Sequence, residues 1–194
     1  VIGSGGGGGS GQSFTAYSGC WSATLNSVGG WGGQGGQSIR WLDVTSISSV
    51  TVTIGSGGTG SSTTAVASTG GTTSFGTYAQ STGGVGGSST NITSGAAGGA
   101  GGTASLGDIN VNGVTTAFPV VAFAGPYASH FQILNVPVAS HGFGKSADIV
   151  VDVTANAPSG YGMGGTPGYA SATYATRRAG SNGTQGLIIV EEFY

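Results

Sequence analysis

Residues 29–37 read GGW-GGQ-GGQ, with glycine at two positions of every triplet. A period of three fits neither the 3.6 of an α-helix nor the 2 of a strand. It fits a polyproline-II-type helix, with three residues per turn, a rise of about 3.1 Å and no internal hydrogen bonds. Glycine along an edge removes side chains, so a neighbouring backbone can come close enough to pair. The pattern returns at 83–88 (GGV-GGS) and at 95–103 (GAA-GGA-GGT). The spacing predicts that these three stretches pack side by side as polyglycine-II segments and satisfy one another's N–H and C=O groups.

Glycine supplies 43 of 194 residues, roughly three times the usual share of about 7%. Such chains are often flexible linkers. Two features oppose that here: β-type runs are interleaved with the glycines, and only 5% of residues are charged, where disordered chains are usually charge-rich. Four basic residues, two of them adjacent at Arg177 and Arg178, cannot make a phosphate-tracking stripe, so no nucleic acid is expected as partner. No apolar run approaches the ~18 residues of a membrane span, and membrane insertion is not expected. A single cysteine, Cys20, excludes an intramolecular disulfide and reads as a small buried hydrophobe. A chain starting at Val1 and repetitive by Gly3 reads as a C-terminal piece of something longer.

The expected domain organisation is a Gly/Ser linker or first polyglycine segment at 1–12, then one glycine-rich β domain at 13–194. A strand or hairpin is expected over the aromatics Phe14, Tyr17 and Trp21. In 50–54 (VTVTI) Val50, Val52 and Ile54 alternate with threonines, predicting a half-buried strand. In 108–114 (DINVNGV) Ile109 and Val111 are expected inward, with Asn112-Gly113 as a type I′ turn and 116–122 as hairpin partner. Residues 117–153 form an apolar strand subregion, in which 147–153 alternate cleanly. Residues 187–194 (LIIVEEFY) predict a terminal strand, apolar on both faces over 187–190, which gives a reason to bury it between chains as a homotrimer. No apolar 3.6 period persists for ten residues. The fold expected is therefore all-β: a glycine-rich, β-sandwich-like domain with packed polyglycine-II segments and essentially no helix.

Several motifs carry chemistry only on paper. ASHGFGKS at 139–146 ends like a phosphate loop, but Ala139 stands where the first glycine is required and a strand follows instead of a helix. Lys145 reads as a solvated charge. Ser, His130, His141, Asp148 and Asp152 could be assembled into a triad, yet no G-x-S-x-G elbow accompanies them. Glu191 and Glu192 alternate across a strand and point apart, so they cannot share a substrate. Histidines could meet a metal only around an oligomer axis, an unusual site; the plainer reading is a hydrogen-bonded histidine. No catalytic residue, metal or cofactor is expected. The stronger signal lies in rings set among glycine, serine and proline: Tyr127, Phe143, Tyr161, Tyr169 and Tyr174. Tyrosine with Ser, Gly and Asn is the composition of antibody-type paratopes. With His130 and His141, these are the candidate receptor-binding residues.

The combination of VTVTIGSGG at 50–58, GTTSFG at 71–76, clustered GG pairs and GLIIVEEFY at 186–194 resembles the glycine-rich domain at the C-terminal tips of bacteriophage tail fibres and tail-tip proteins. The likeness spans about 29–194, with TIGSGG and IIVEEFY its most specific parts; the apolar stretch 117–152 departs from it. The resemblance implies a distal host-recognition module on a trimeric fibre, with no catalytic residues to carry over and with packed polyglycine-II helices. It implies a place at the tail-fibre tip of the virion, an upstream fibre shaft, and a bacterial surface glycan or outer-membrane protein as partner. Two alternatives follow from the residues: a structural glycine-rich filament or surface-layer protein, and a depolymerase, which would need convergent carboxylates.

Overall fold

The computed structural model describes residues 14–18, 21–89, 96–116, 121–123, 144–145, 155–170 and 177–193. Among the described residues there is no helix, and the regular elements are β-strands. The fold is all-β. Its middle, however, is built from eight extended stretches that belong to no strand: I (29–36), II (55–61), III (67–71), IV (82–88), V (97–103), VI (113–116), VII (162–168) and VIII (180–186).

These stretches bond in steps of three. The amides of Gly29, Gly32 and Gly35 donate to Gly168, Gly165 and Gly162, while those of Gly30, Gly33 and Gly36 donate to Ser88, Val85 and Thr82. Segment I therefore serves segment VII with the first glycine of each triplet and segment IV with the second. The third residues, Trp31 and Gln34, accept from Gly99 and Gly102 of segment V. A repeat of three on each side is what three residues per turn produces. The same stepping links IV to V (Thr82, Val85 and Ser88 to Thr103, Ala100 and Ala97) and VIII to II (Gly180, Gly183 and Gly186 to Ser61, Gly58 and Gly55). Bonds run I–IV–III–II–VIII–VII and back to I, closing a circuit, and V and VI dock against I outside it.

Glycine is required where backbones touch. A Cβ on Gly30 or Gly33 would sit on the carbonyl oxygen of Ala97 or Ala100; on Gly84 or Gly87 it would sit on that of Gly33 or Gly30. Hydroxyls and amides complete the bonding where no backbone carbonyl is opposite. Met163 N–H donates to Thr184 Oγ1 at 2.8 Å, Thr166 N–H to Ser181 Oγ at 2.9 Å and Gly60 N–H to Asn182 Oδ1 at 2.9 Å. Among the described residues the interior is accordingly polar: Gln34, Ser38, Thr73, Ser81 and Thr166 are buried, beside a small apolar set including Val28, Trp31, Met163 and Tyr169. A buried polar group must find a partner or lose stability, and the step-of-three bonding supplies partners to the backbones of the segments.

The register also sorts the connections into two ends. The strands, in chain order, are β1 (Phe14–Ser18), β2 (Trp21–Val28), β3 (Gln37–Ile39), β4 (Val52–Thr53), β5 (Thr73–Phe75) and β6 (Ala79–Ser81). They continue as β7 (Ala104–Ser105), β8 (Ile109–Val111), β9 (Val121–Phe123), β10 (Gly144–Lys145), β11 (Ser159–Gly160) and β12 (Tyr169–Ala170). At one end the hairpin β1–β2 leads into segment I, with β12 and β9 paired to β2; we call this the hairpin end. At the other, the ribbon end, β3 pairs with β8, and β4-β5-β6-β7 form a four-stranded antiparallel sheet. Gly76, at φ 52°, turns β5 into β6, a conformation that suits glycine.

Several sequence expectations are corrected. Val52 and Ile54 are exposed and the strand is only Val52–Thr53, because the polar interior offers no apolar face to pack on. Ile109 and Val111 point outward for the same reason. Asn112-Gly113 is not a hairpin turn: Gly113 N–H bonds to Gly102, while β8 pairs with β3. Over 187–193 there is a single-residue bridge at Leu187 and no strand. The alternating run 147–153, Cys20 and the linker 1–12 lie outside the described residues.

Candidate functional site

The β3–β8 ribbon is patterned inside out. Register pairs Gln37 with Val111, Ser38 with Asn110 and Ile39 with Ile109. Side chains two apart share a face, so Ile39, Ile109 and Val111 lie together, and each is more than 40% exposed. The opposite face carries Ser38, 0% exposed, whose Oγ lies 3.0 Å from Asn110 Oδ1 and 3.1 Å from the Ser105 carbonyl. An ordinary half-buried ribbon turns its apolar face to the core. Here the core is backbone and hydroxyl, and the apolar face is left to solvent.

Beside this face stands Trp41, 66% exposed. Asp108 reaches both it and its neighbour: Oδ2 accepts the Trp41 N–H at 2.8 Å, and Oδ1 meets Arg40 Nη1 at 3.2 Å. Asp108 N–H in turn donates to the Ile39 carbonyl at 2.8 Å. The β7–β8 connection is tied from within, since Asn110 Nδ2 donates to the Gly107 carbonyl at 2.8 Å and its Oδ1 accepts the Gly107 N–H at 3.2 Å. Leu106, exposed, sits at φ 66°, a left-handed conformation costing a branched side chain on the order of 1 kcal/mol. That strain is held in place by the surrounding bonds. Further along, Asp43 Oδ1 accepts the Thr45 N–H at 3.0 Å and its hydroxyl at 2.8 Å, which holds the Asp43 carboxyl below its ordinary value of 3.8.

Among the described residues, all but three of the exposed large apolar side chains (Val66, Val85 and Val114 excepted) belong to chain leaving or entering the segments at the ribbon end. One group surrounds Trp41. A second follows the opposite flank, where Gly186 bonds to Gly55: Val52 and Ile54 precede that junction, while Ile189, Val190 and Phe193 follow it. Contiguous exposed apolar surface marks contact with something else.

Of the expected receptor-binding residues, Tyr127, His130, His141, Phe143 and Tyr174 lie outside the described residues. Tyr161 is half-buried at the ribbon end, between Gly160 and Gly162, whose φ values are 89° and 70°. Tyr169 is not a loop ring: it sits in β12 opposite Val28 and is 5% exposed, so it packs the hairpin end. Sequence reasoning passed over Ile39, Trp41 and Leu106, and it turned Ile109 and Val111 inward. The available signal was SIRWLDV at 38–44, which puts a tryptophan between charges in a chain with four basic and six acidic residues. Among the described residues no three His, Cys, Asp or Glu gather as a metal site. Comparison with known protein families, with curated proteins and with solved structures finds no match to this chain.

Proposed function

We propose that this chain is a non-enzymatic host-receptor-binding domain at the tip of a bacteriophage tail fibre, acting on a homotrimeric fibre in the virion. The observation that carries the reading is that, among the described residues, exposed large apolar side chains collect at the ribbon end, away from the hairpin β1–β2 through which the chain enters segment I. An upstream shaft would join at the hairpin end, and the ribbon end would face the host. Loops and short strands on a rigid scaffold are where binding residues concentrate, and polyglycine-II packing is such a scaffold. Low charge keeps non-specific adhesion to a charged envelope weak.

The surface favours an outer-membrane protein over a glycan as partner. Aliphatic Ile39, Ile109 and Val111 around a tryptophan suit an apolar protein loop, and the hydrogen-bonding side chains beside the ring, Arg40 and Asp108, are already paired with each other. Each contact is weak, and several copies on one virion multiply it. The test is adsorption of the labelled domain to a bacterial panel, with protease-shaved cells and glycan-deficient strains as separate arms. Binding lost on shaving supports the reading; binding lost only with the glycan moves the partner to sugar. Failure to label any strain, together with concentration-dependent filaments, favours the structural alternative. A monomer by light scattering at micromolar concentration refutes the trimer.

A further inference from the structure

Asp108 is one of six acidic residues in the chain, and all its described contacts serve the strand leading to Trp41. One carboxylate oxygen takes the Trp41 N–H, the other takes the Arg40 guanidinium, and its own N–H holds the Ile39 carbonyl. Arg40 Nη1 also approaches the Leu106 carbonyl at 3.4 Å. Three consecutive residues, Ile39, Arg40 and Trp41, are thereby tied to the loop between β7 and β8. A Cβ on Gly107 would collide with Ser38 Oγ and crowd the Ile39 carbonyl, so that loop lies directly against β3. None of this buries Trp41, whose ring stays largely in solvent.

Resting on the reading above, we infer that Asp108 is a positioning residue that pre-orients Trp41 as the anchor ring of the receptor-binding end. An exposed tryptophan on a free loop loses backbone freedom when it binds; one already fixed does not, and affinity gains by the difference. Tryptophan is also the residue most enriched among side chains that dominate interfaces. Neutralising Arg40 within the clamp has a second effect. Arg40, the cation next to Trp41 in the chain, is paired with Asp108, so its charge is offset beside the ring and the aliphatic face. Leu106 fits the same scheme: its left-handed conformation keeps an apolar side chain outward from the loop that carries the clamp.

The test labels the whole domain with 5-fluorotryptophan and assigns the Trp41 fluorine resonance by Trp41→Phe. Three variants, Asp108→Ala, Asp108→Asn and Trp41→Ala, are then compared for Trp41 relaxation, Tm and binding to outer-membrane vesicles from a strain the wild type labels. Asp108→Ala is expected to sharpen and shift the Trp41 line, leave Tm within a few degrees and weaken vesicle binding about tenfold, the loss typical of one interface anchor. Asp108→Asn keeps an oxygen for the Trp41 N–H but removes the negative charge that pairs with Arg40, so it should fall between. An unchanged Trp41 line in Asp108→Ala overturns the inference and leaves the receptor reading standing. A loosened Trp41 with wild-type binding by Trp41→Ala overturns the receptor reading at this end instead, and with it the anchor role.

Discussion

Replacing Gly33 by alanine tests whether the touching backbones hold the fold. Gly33 donates to Val85 at 2.8 Å, and its α-carbon faces segment V, where an added Cβ would lie on the Ala100 oxygen, 2.6 Å from the Ala100 carbon and 3.0 Å from the Gly99 oxygen. Carbon pairs prefer about 3.5–4.0 Å, so segments I and V must part by about 1 Å. The bonds joining them, Gly99 to Trp31 at 2.8 Å and Gly102 to Gln34 at 2.7 Å, would then exceed hydrogen-bonding distance. Two buried bonds lost at about 1–3 kcal/mol each cost about 4 kcal/mol. Reduced entropy of the unfolded chain returns about 0.4–1 kcal/mol. At roughly 2–4 °C per kcal/mol for a chain of this size, Tm should fall by about 10 °C. The control is Ala100→Val, at an exposed triplet position, where a change within about 0.5 kcal/mol is expected. Both are read by thermal unfolding followed by circular dichroism. A Gly33→Ala melt within about 2 °C of wild type, or no lower than Ala100→Val, refutes the reasoning.

Tyr169→Ala should destabilise the domain by about 3 kcal/mol in denaturant unfolding, because its buried ring leaves a cavity against β2. Thr166→Val should cost about 2 kcal/mol, since Thr166 Oγ1 bonds both the Asn156 carbonyl and Ser181 Oγ. Thr116→Val should cost nearer 1 kcal/mol, because the Trp31 carbonyl it serves keeps the Gly99 N–H; equal losses in the two valine variants would contradict this. Asp43, with its carboxyl held below 3.8 by the Thr45 N–H and hydroxyl, contributes order to the 43–47 turn. That contribution is fully present above pH 3.8 and lost as pH falls through the lower folded value. The Thr45 amide resonance should shift in that acid window while the global melt is unaffected by this group.

The triplets at 29–37, 83–88 and 95–103 were legible because segments with neighbours on several sides need glycine at two positions of three. Segment II was equally regular, GSG-GTG at 55–60, but in a different frame, and reads as a turn closing a strand. Segment VIII carries less glycine, GSN-GTQ-G at 180–186, because only Gly180, Gly183 and Gly186 donate to segment II. Its other positions are Ser, Asn, Thr and Gln, which hides the period. The side-chain directions misled for a related reason. Alternation in VTVTI and DINVNGV shows that one face differs from the other, and the assumption that apolar means inward supplied the rest. With backbone, Ser38, Thr73 and Ser81 filling the interior, the same alternation points the other way. Trp41 stayed hidden because the carboxylate that holds its N–H, Asp108, lies far along the chain.

The closed circuit of segments has a consequence for synthesis. Segments I to VI are contiguous within 29–116 and bond among themselves, so most of the lattice can assemble while the chain is still being made. Segment II, however, keeps one flank open until residues 180–186 arrive, and segment I waits for 162–168. The ribosome needs on the order of ten seconds to travel from Gly55 to Gly186 at about 5–20 residues per second. Through that interval the nascent domain carries rows of unpaired amides and carbonyls, a template on which another nascent copy could pair. A chain cut short before Gly180 would keep that open flank permanently. Arrival of residues 180–186 is the event that closes the circuit.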